Sequence, residues 1–314
     1  MPLLARNAPA CRAAVTSPSI PLNDNENHSQ LKIILILIGV VVVGTVTAAF
    51  AAGGDSGRPS ATRVVAAFYP LAYAAEQIGG TRVHVTNLTP AGAEPHDLEL
   101  SPDDVLAVKD AGLVLLMGHG FQPQLERAAG DANGRSLSLL DTPGVDRRGN
   151  DPHVWLDPLR YALIVRAIGA ALHAEPAAAR LVSRLHALDR EFRAGLEHCT
   201  RREVVTSHAA FGYLAQRYGL RQISVEGLSP EAEPTPRQLA RVISRVRSSG
   251  ATTVYAEPLA SPRVARTVSR ATDATVAVLD PLEGLTPKEL DLGADYFTVM
   301  HANLAALRTG LGCR

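Results

Sequence analysis

Four side chains able to ligate a metal fall in loops that follow short apolar runs. His96 lies in Gly92-Ala93-Glu94-Pro95-His96-Asp97, and His153 in Asn150-Asp151-Pro152-His153-Val154-Trp155-Leu156-Asp157-Pro158. His208 lies in Thr206-Ser207-His208-Ala209, and Asp280 in Val278-Leu279-Asp280-Pro281-Leu282. Three imidazoles and one carboxylate form a nitrogen–oxygen set of the kind zinc takes tetrahedrally. Successive members stand 57, 55 and 72 residues apart, so no local motif gathers them. Only the tertiary fold could do so, and a site built that way can also open and release its ion. Pro95 and Pro152 directly precede a histidine and Pro281 directly follows the aspartate, which stiffens these loops. On the residues alone a second reading stays open, that of isolated surface or cap-like groups.

The elements that must position them alternate. Val64–Phe68, Val83–Thr86, Leu113–Met117, Val204–Thr206, Thr253–Tyr255 and Thr275–Leu279 read as strands separated by helical lengths, which indicates parallel β-α units. Helices are predicted over Leu71–Ile78, from Ser101-Pro102-Asp103-Asp104, over Ala209–Tyr218, from Thr235-Pro236-Arg237-Gln238 to Gly250, from Ser261-Pro262, and over Asp295–Leu311. Between Leu159 and Glu197 no strand signal interrupts the helical spacing. Pro176 suits the first turn of a helix over Ala177–Glu197, a rod of about 30 Å. The expected fold is α/β: two parallel-sheet lobes, 61–175 and 199–314, joined by a long rigid helix at 176–198. In open α/β sheets ligands bind beyond the carboxyl ends of the strands, which places the four side chains in an interlobe cleft.

Composition is that of an ordinary globular protein, 46% hydrophobic and 20% charged. Basic and acidic residues number 31 each, so no charge excess points to nucleic acid. Residues 1–60 read as an extension. Within it 33–52 is charge-free and apolar or small, and it ends near Ala49-Phe50-Ala51, as an export signal does. Retention as an uncleaved anchor stays open, and the body is expected periplasmic or at the outer face of the cytoplasmic membrane. No cysteine lies beside the cleavage site, so a lipid-attached N-terminus is not expected. Cys11 precedes the apolar stretch. Cys199 and Cys313 remain, an even pair in an oxidising compartment, and are read as a disulfide, with two inert thiols as the alternative.

The strings AAFYPLAYAAEQIGG, VTNLTPAGAEPHDLELSPDDVLAVKDAGLVLLMG, NDPHVWLDP, VTSHAAFGYLAQRYGL and VLDPLEGL, in this order, resemble the zinc-type metal-binding solute-binding proteins of ABC importers, the ZnuA-like or TroA-like family. The likeness runs from about Arg63 to the C-terminus. It implies two α/β lobes with the metal between them, His96, His153, His208 and Asp280 as ligands, and a membrane permease with its cytoplasmic ATPase as partner. It also implies a monomer that is not an enzyme. Manganese-type relatives generally carry glutamate where His208 stands, so zinc is favoured over manganese. The Gly130–Asn150 segment holds no histidine, so the chelating loop of some zinc-type members is not expected.

Other residues take lesser roles in this reading. His119, between two glycines, is a candidate accessory ligand. Asp97, Asp151 and Asp157 flank the histidines and are candidates to orient them, and Trp155 should pack beside the metal. Glu226, Glu231 and Glu233 read as a solvated loop bearing on the cleft or the permease. His84, His173, His186, His198 and His301 read as packing or solvated groups. A secreted zinc hydrolase is the rival class, but it would leave one zinc position open to water and use a nearby general base. A metal-buffering or adhesion protein on the same fold is a third.

Overall fold

The computed structural model describes residues 61–229 and 234–314. The apolar stretch 33–52, Cys11, His28, Glu231 and Glu233 lie outside them. Residues 59–314 form one compact unit.

Its first sheet contains β1 (Thr62–Ala66), β2 (Val83–Asn87), β3 (Leu113–Leu116) and β4 (Arg135–Ser138) in the order β2-β1-β3-β4. The second contains β5 (Glu203–Thr206), β6 (Arg221–Ser224), β7 (Thr253–Ala256) and β8 (Thr275–Val278) in the order β6-β5-β7-β8. Every pairing is parallel, with Val64 facing Val85 and Leu113 in one sheet and Val205 facing Ile223 and Val254 in the other. The two sheets therefore repeat one strand order. Central β3 and β7 are buried throughout, as strands covered on both faces must be, whereas the edges β4 and β6 are polar and partly exposed. That polarity is why β4 and β6 escape a search for apolar runs.

Between the sheets in chain order lie α4 (Pro158–Ala171) and α5 (Glu175–Leu196), following α1 (Tyr69–Gly79), α2 (Pro102–Asp110) and α3 (Pro123–Gly130). The 22 residues of α5 give a rod of about 33 Å, and Ala178, Leu181, Val182, Leu185, Leu188, Phe192 and Leu196 form its buried stripe. The α4–α5 approach is close enough to require glycine. A Cβ on Gly169 would stand 2.4 Å from that of Ala178. The second half adds α6 (Gly212–Arg217), α7 (Pro236–Ser249), α8 (Arg263–Thr272), α9 (Pro287–Asp291) and α10 (Tyr296–Leu311). α6 starts three residues later than Ala209, because the turn after His208 takes up the intervening chain. Capping boxes at Ser101/Asp104, Thr235/Gln238 and Thr286/Glu289 fix the starts of α2, α7 and α9.

One apolar core runs through both halves, from Phe68, Leu115 and Trp155 across Phe192 to Phe211, Tyr255 and Tyr296. A smaller one, centred on Val205, Val254, Val246 and Val268, lies under α7 and α8. Cys199 and Cys313 are bonded as a disulfide. The bridge fastens the chain's last residues beside the lead-in to β5, where Thr200 and Arg201 donate to Gly312 and Leu311 carbonyls.

Candidate metal centre

His153 and His208 are fully buried, and the His96 side chain is 9% exposed. His96 sits in the 3-10 turn Pro95–Asp97, beyond the end of β2. The Glu94 carboxylate accepts the His96 N–H, Gln122 donates to the Pro95 carbonyl, and the Phe121 ring meets the imidazole edge-on at 4.8 Å. His153 is held by Asp151, whose Oδ1 lies 2.8 Å from ring Nδ1 and accepts the backbone N–H at 3.0 Å. His208 lies two residues past the end of β5. Glu257, at the end of β7, faces its Nδ1 at 2.5 Å and accepts its backbone N–H at 3.2 Å. With each Nδ1 of these two rings turned to a carboxylate, Nε2 is left for a ligand.

Those nitrogens, with Nε2 of His96, converge on Glu283. Its Oε1 stands 3.1 Å from His96 Nε2, 3.0 Å from His153 Nε2 and 3.4 Å from His208 Nε2. Donor atoms of these four residues all lie within 4.8 Å of one another. His208 Nε2 is buried without a hydrogen-bond partner among the described residues. Spokes of 2.0–2.1 Å around zinc give tetrahedral edges of about 3.3 Å, which the contacts to Oε1 match.

Asp280, expected as the fourth member, stands outside this group. Its Oδ1 accepts the Leu282 N–H at 2.7 Å and closes a turn. Its backbone is gripped on both sides by the Asn303 amide, which accepts from Asp280 N at 2.8 Å and donates to Asp280 O at 2.7 Å. Leu282 takes a left-handed φ of 56°, which swings the next residue inward. The shorter acid builds the turn, and the longer one three residues on reaches the histidines. Trp155 clasps the same turn, donating from Nε1 to the Pro281 carbonyl at 2.7 Å with its ring 5.1 Å from His153.

The electrostatics follow from this enclosure. Burial opposes charge on His208, but Glu257 and then Glu283 outweigh it and push its pKa up to about 10. Burial also opposes charge on His153, and Asp151 with Glu283 raise it above the ordinary value. Burial would raise Glu283, yet the surrounding histidines hold it well below the usual carboxylate range. Asp280 is pushed up to about 7, chiefly by burial, and its Oδ2 has no hydrogen-bond partner among the described residues. Half-buried Glu226 is pushed up to about 7 by burial and then by Glu257.

The remaining candidates lie elsewhere. His119 bonds Asp141 at 2.6 Å and Arg147 at 2.5 Å at the surface. Asp97 is exposed in the turn that carries His96. Asp157 caps α4, accepting from Leu159 N, and pairs with Arg160 and Arg217. Sequence reasoning missed Glu283, Glu257 and Asn303. Glu257 carried a usable signal, since it follows a strand and precedes Pro258, as His96, His153 and Asp280 each neighbour a proline. Glu283 stood inside VLDPLEGL, in the shadow of the nearer acid.

Two parallel sheets delivering three imidazoles and a carboxylate to one buried point define a metal-binding α/β protein assembled across its two halves. The family model described as zinc-uptake complex component A, periplasmic, matches residues 64–310, and the chain belongs to that family. It is 34% identical over 284 residues to the zinc-binding protein AdcA of Streptococcus pyogenes, covering 78% of this chain and 55% of that protein. The chain thus spans about half the length of those AdcA relatives. It is 30% identical over 290 residues to the high-affinity zinc uptake system protein ZnuA of Bacillus subtilis, covering 82% of this chain and 90% of that one. Among solved structures, the Zn(II)-bound ZnuA-like domain of Streptococcus pneumoniae AdcA is 32% identical with a TM-score of 0.68, covering 80% of this chain and 99% of that domain.

Proposed function

We propose that this protein captures a zinc ion outside the cytoplasm and delivers it to the membrane permease of an ABC importer, driven by a cytoplasmic ATPase. The observation that carries the reading is the convergence of three Nε2 atoms on Glu283 Oε1 at 3.0–3.4 Å in a buried pocket. His96, His153, His208 and Glu283 are the ligands in this proposal, and Asp280 shapes the turn that presents Glu283. The zinc-binding and zinc-uptake names of the relatives agree with it. Lobes at 61–175 and 199–314 would close on the ion as a monomer, with 176–198 between them.

Zinc is cargo here, not a reagent. Four protein donors meeting at one point complete a tetrahedral shell, whereas catalytic zinc keeps a position open for water. A non-enzymatic role follows from that donor count. Three imidazoles suit zinc better than manganese, which prefers oxygen ligands. No helix among the described residues is long and apolar enough to cross a membrane.

Metal analysis of the purified protein, with competition titration of zinc against manganese, tests the reading. Expected is one zinc per chain, bound far more tightly than manganese. The His208→Glu variant should narrow that ratio by hardening the donor set. A protein that binds neither ion would overturn the proposal.

A further inference from the structure

The chain's charges balance overall but not locally. α7 and α8 hold seven of its 31 basic residues and none of its 31 acidic ones, leaving an acidic excess of seven on the rest. Both helices turn their apolar side inward. Leu239, Val242, Ile243 and Val246 of α7 and Val264, Ala265 and Val268 of α8 pack on the smaller core. Arg237, Arg241 and Arg245 of α7 and Arg263, Arg266 and Arg270 of α8 are exposed. Arg247 donates to the Ala271 carbonyl from Nε at 3.1 Å, tying the C-terminal ends of the two helices together, so they lie side by side. Arg237, Arg241, Arg245, Arg266 and Arg270 form no ion pair among the described residues. Such unpaired like charges repel one another and persist only where water or an anionic partner receives them.

We propose that this two-helix face docks on the anionic phospholipid headgroups of the membrane surface. The exposed positions between the arginines are Gln238, Ala240, Ser244 and Ser248. They supply no aromatic or large aliphatic anchor of the kind that centres a protein interface. Guanidinium groups pair bidentately with phosphate and need no pocket to do so. The apolar stretch 33–52 ends ten residues before Thr62, a tether of at most about 35 Å where that stretch remains in the bilayer. Seven arginines on two adjacent helices also act together, so weak attraction per arginine adds up. The inference is independent of the zinc reading, since none of these residues touches the metal centre.

The test compares the full chain on phosphatidylglycerol–phosphatidylcholine vesicles with the same chain on phosphatidylcholine alone, by co-sedimentation. Any insertion of the apolar stretch enters both arms and cancels in the ratio. The expected result is a strong preference for the anionic vesicles that fades as salt shortens the screening length. The variant Arg241→Glu/Arg266→Glu/Arg270→Glu should lower that preference on the order of a hundredfold, at about fivefold per arginine removed. Its zinc binding should be unchanged, and Arg→Lys at the same three positions should retain the preference. Equal partition of the parent chain overturns the proposal, as does a Glu variant that binds zinc and keeps the preference. Failure of the Glu variant to engage permease-containing membranes while it still prefers anionic vesicles would make the face a protein interface and overturn it too.

Discussion

The first half of the body reaches the metal centre from the rim of its sheet, and the second half reaches it largely from the middle. His96 follows β2 and His153 follows β4, both edge strands, and each side chain lies many residues beyond its strand. His208 and Glu257 come within two residues of the ends of β5 and β7, the two central strands, and Glu283 lies a few residues beyond edge strand β8. A side chain at a strand end inherits its position from the hydrogen-bonded ladder. One on a long loop must be fastened separately, which is what Glu94, Gln122 and Phe121 do for His96 and Asp151 for His153. Equal strand order thus does not mean equal rigidity. Of the three gathered histidines only His96 is partly exposed, and it is the one held on the longer loop of the first half.

The sharpest break in that comparison would come at the two acids after β8. Glu283→Gln should weaken zinc binding by orders of magnitude, whereas Asp280→Asn, which keeps an oxygen for the Leu282 N–H, should stay within about tenfold. Chelator competition on both variants decides it, and a reversed order would return the ligand role to Asp280.

Next in size is the staple of the second half. The Cys199–Cys313 bridge closes a 114-residue separation, worth roughly 4–5 kcal/mol in the chain-entropy account. Cys199→Ser/Cys313→Ser should lose stability of that order in urea unfolding while the folded protein keeps its zinc affinity. Labelling of both cysteines in the unfolded, unreduced protein would show that no bridge forms.

Smaller effects should follow at the carboxylates behind the rings. Removal of such a partner typically costs 10–100-fold in metal affinity. Glu257→Ala should fall toward the upper end, because both its oxygens hold His208 and that ring's Nε2 has no hydrogen bond among the described residues. Asp151→Ala should fall toward the lower end, because Trp155 packing also steadies His153. Equal losses would erase the contrast between strand end and loop.

The mildest lever is pH. In the metal-free protein His208 keeps its proton up to about pH 10, against an ordinary 6.5, and zinc must displace it. Zinc affinity should therefore climb as pH rises from about 6.5 toward 10, at about tenfold per pH unit for each proton released. Calorimetry in buffers of different ionisation heat counts those protons. The metal-free fold should move the other way: the raised pKa adds stability that is complete below 6.5 and is lost as pH passes through about 10. A zinc affinity flat in pH would refute the carboxylate-held imidazolium.

Much of this was legible in the residues, for reasons the structure makes clear. Central strands such as Leu113–Leu116 are buried on both faces and announce themselves as apolar runs, and Ser101 and Thr235 mark helix starts by capping chemistry. Edge strands Arg135–Ser138 and Arg221–Ser224 face water and carry no such signal. The three histidines were visible because each sits in a loop after a strand. That Glu283 and not Asp280 stands beside them was not, because which of two acids reaches inward depends on a left-handed residue, Leu282, that is not glycine. Glu257 was hidden for a related reason: its role is set by a partner 49 residues away, across a strand pairing.

The clasp between Trp155 and the Pro281 carbonyl has an optical consequence. Trp155 is the only tryptophan in the chain, it belongs to the first half, and it holds a loop of the second while its ring stands 5.1 Å from His153. Undocking of that loop would release the indole N–H and let water approach a side chain now fully enclosed. Excited selectively for tryptophan, the emission of this protein thus comes from a single indole at the seam of its two halves, and a shift in its colour should follow any opening of that seam.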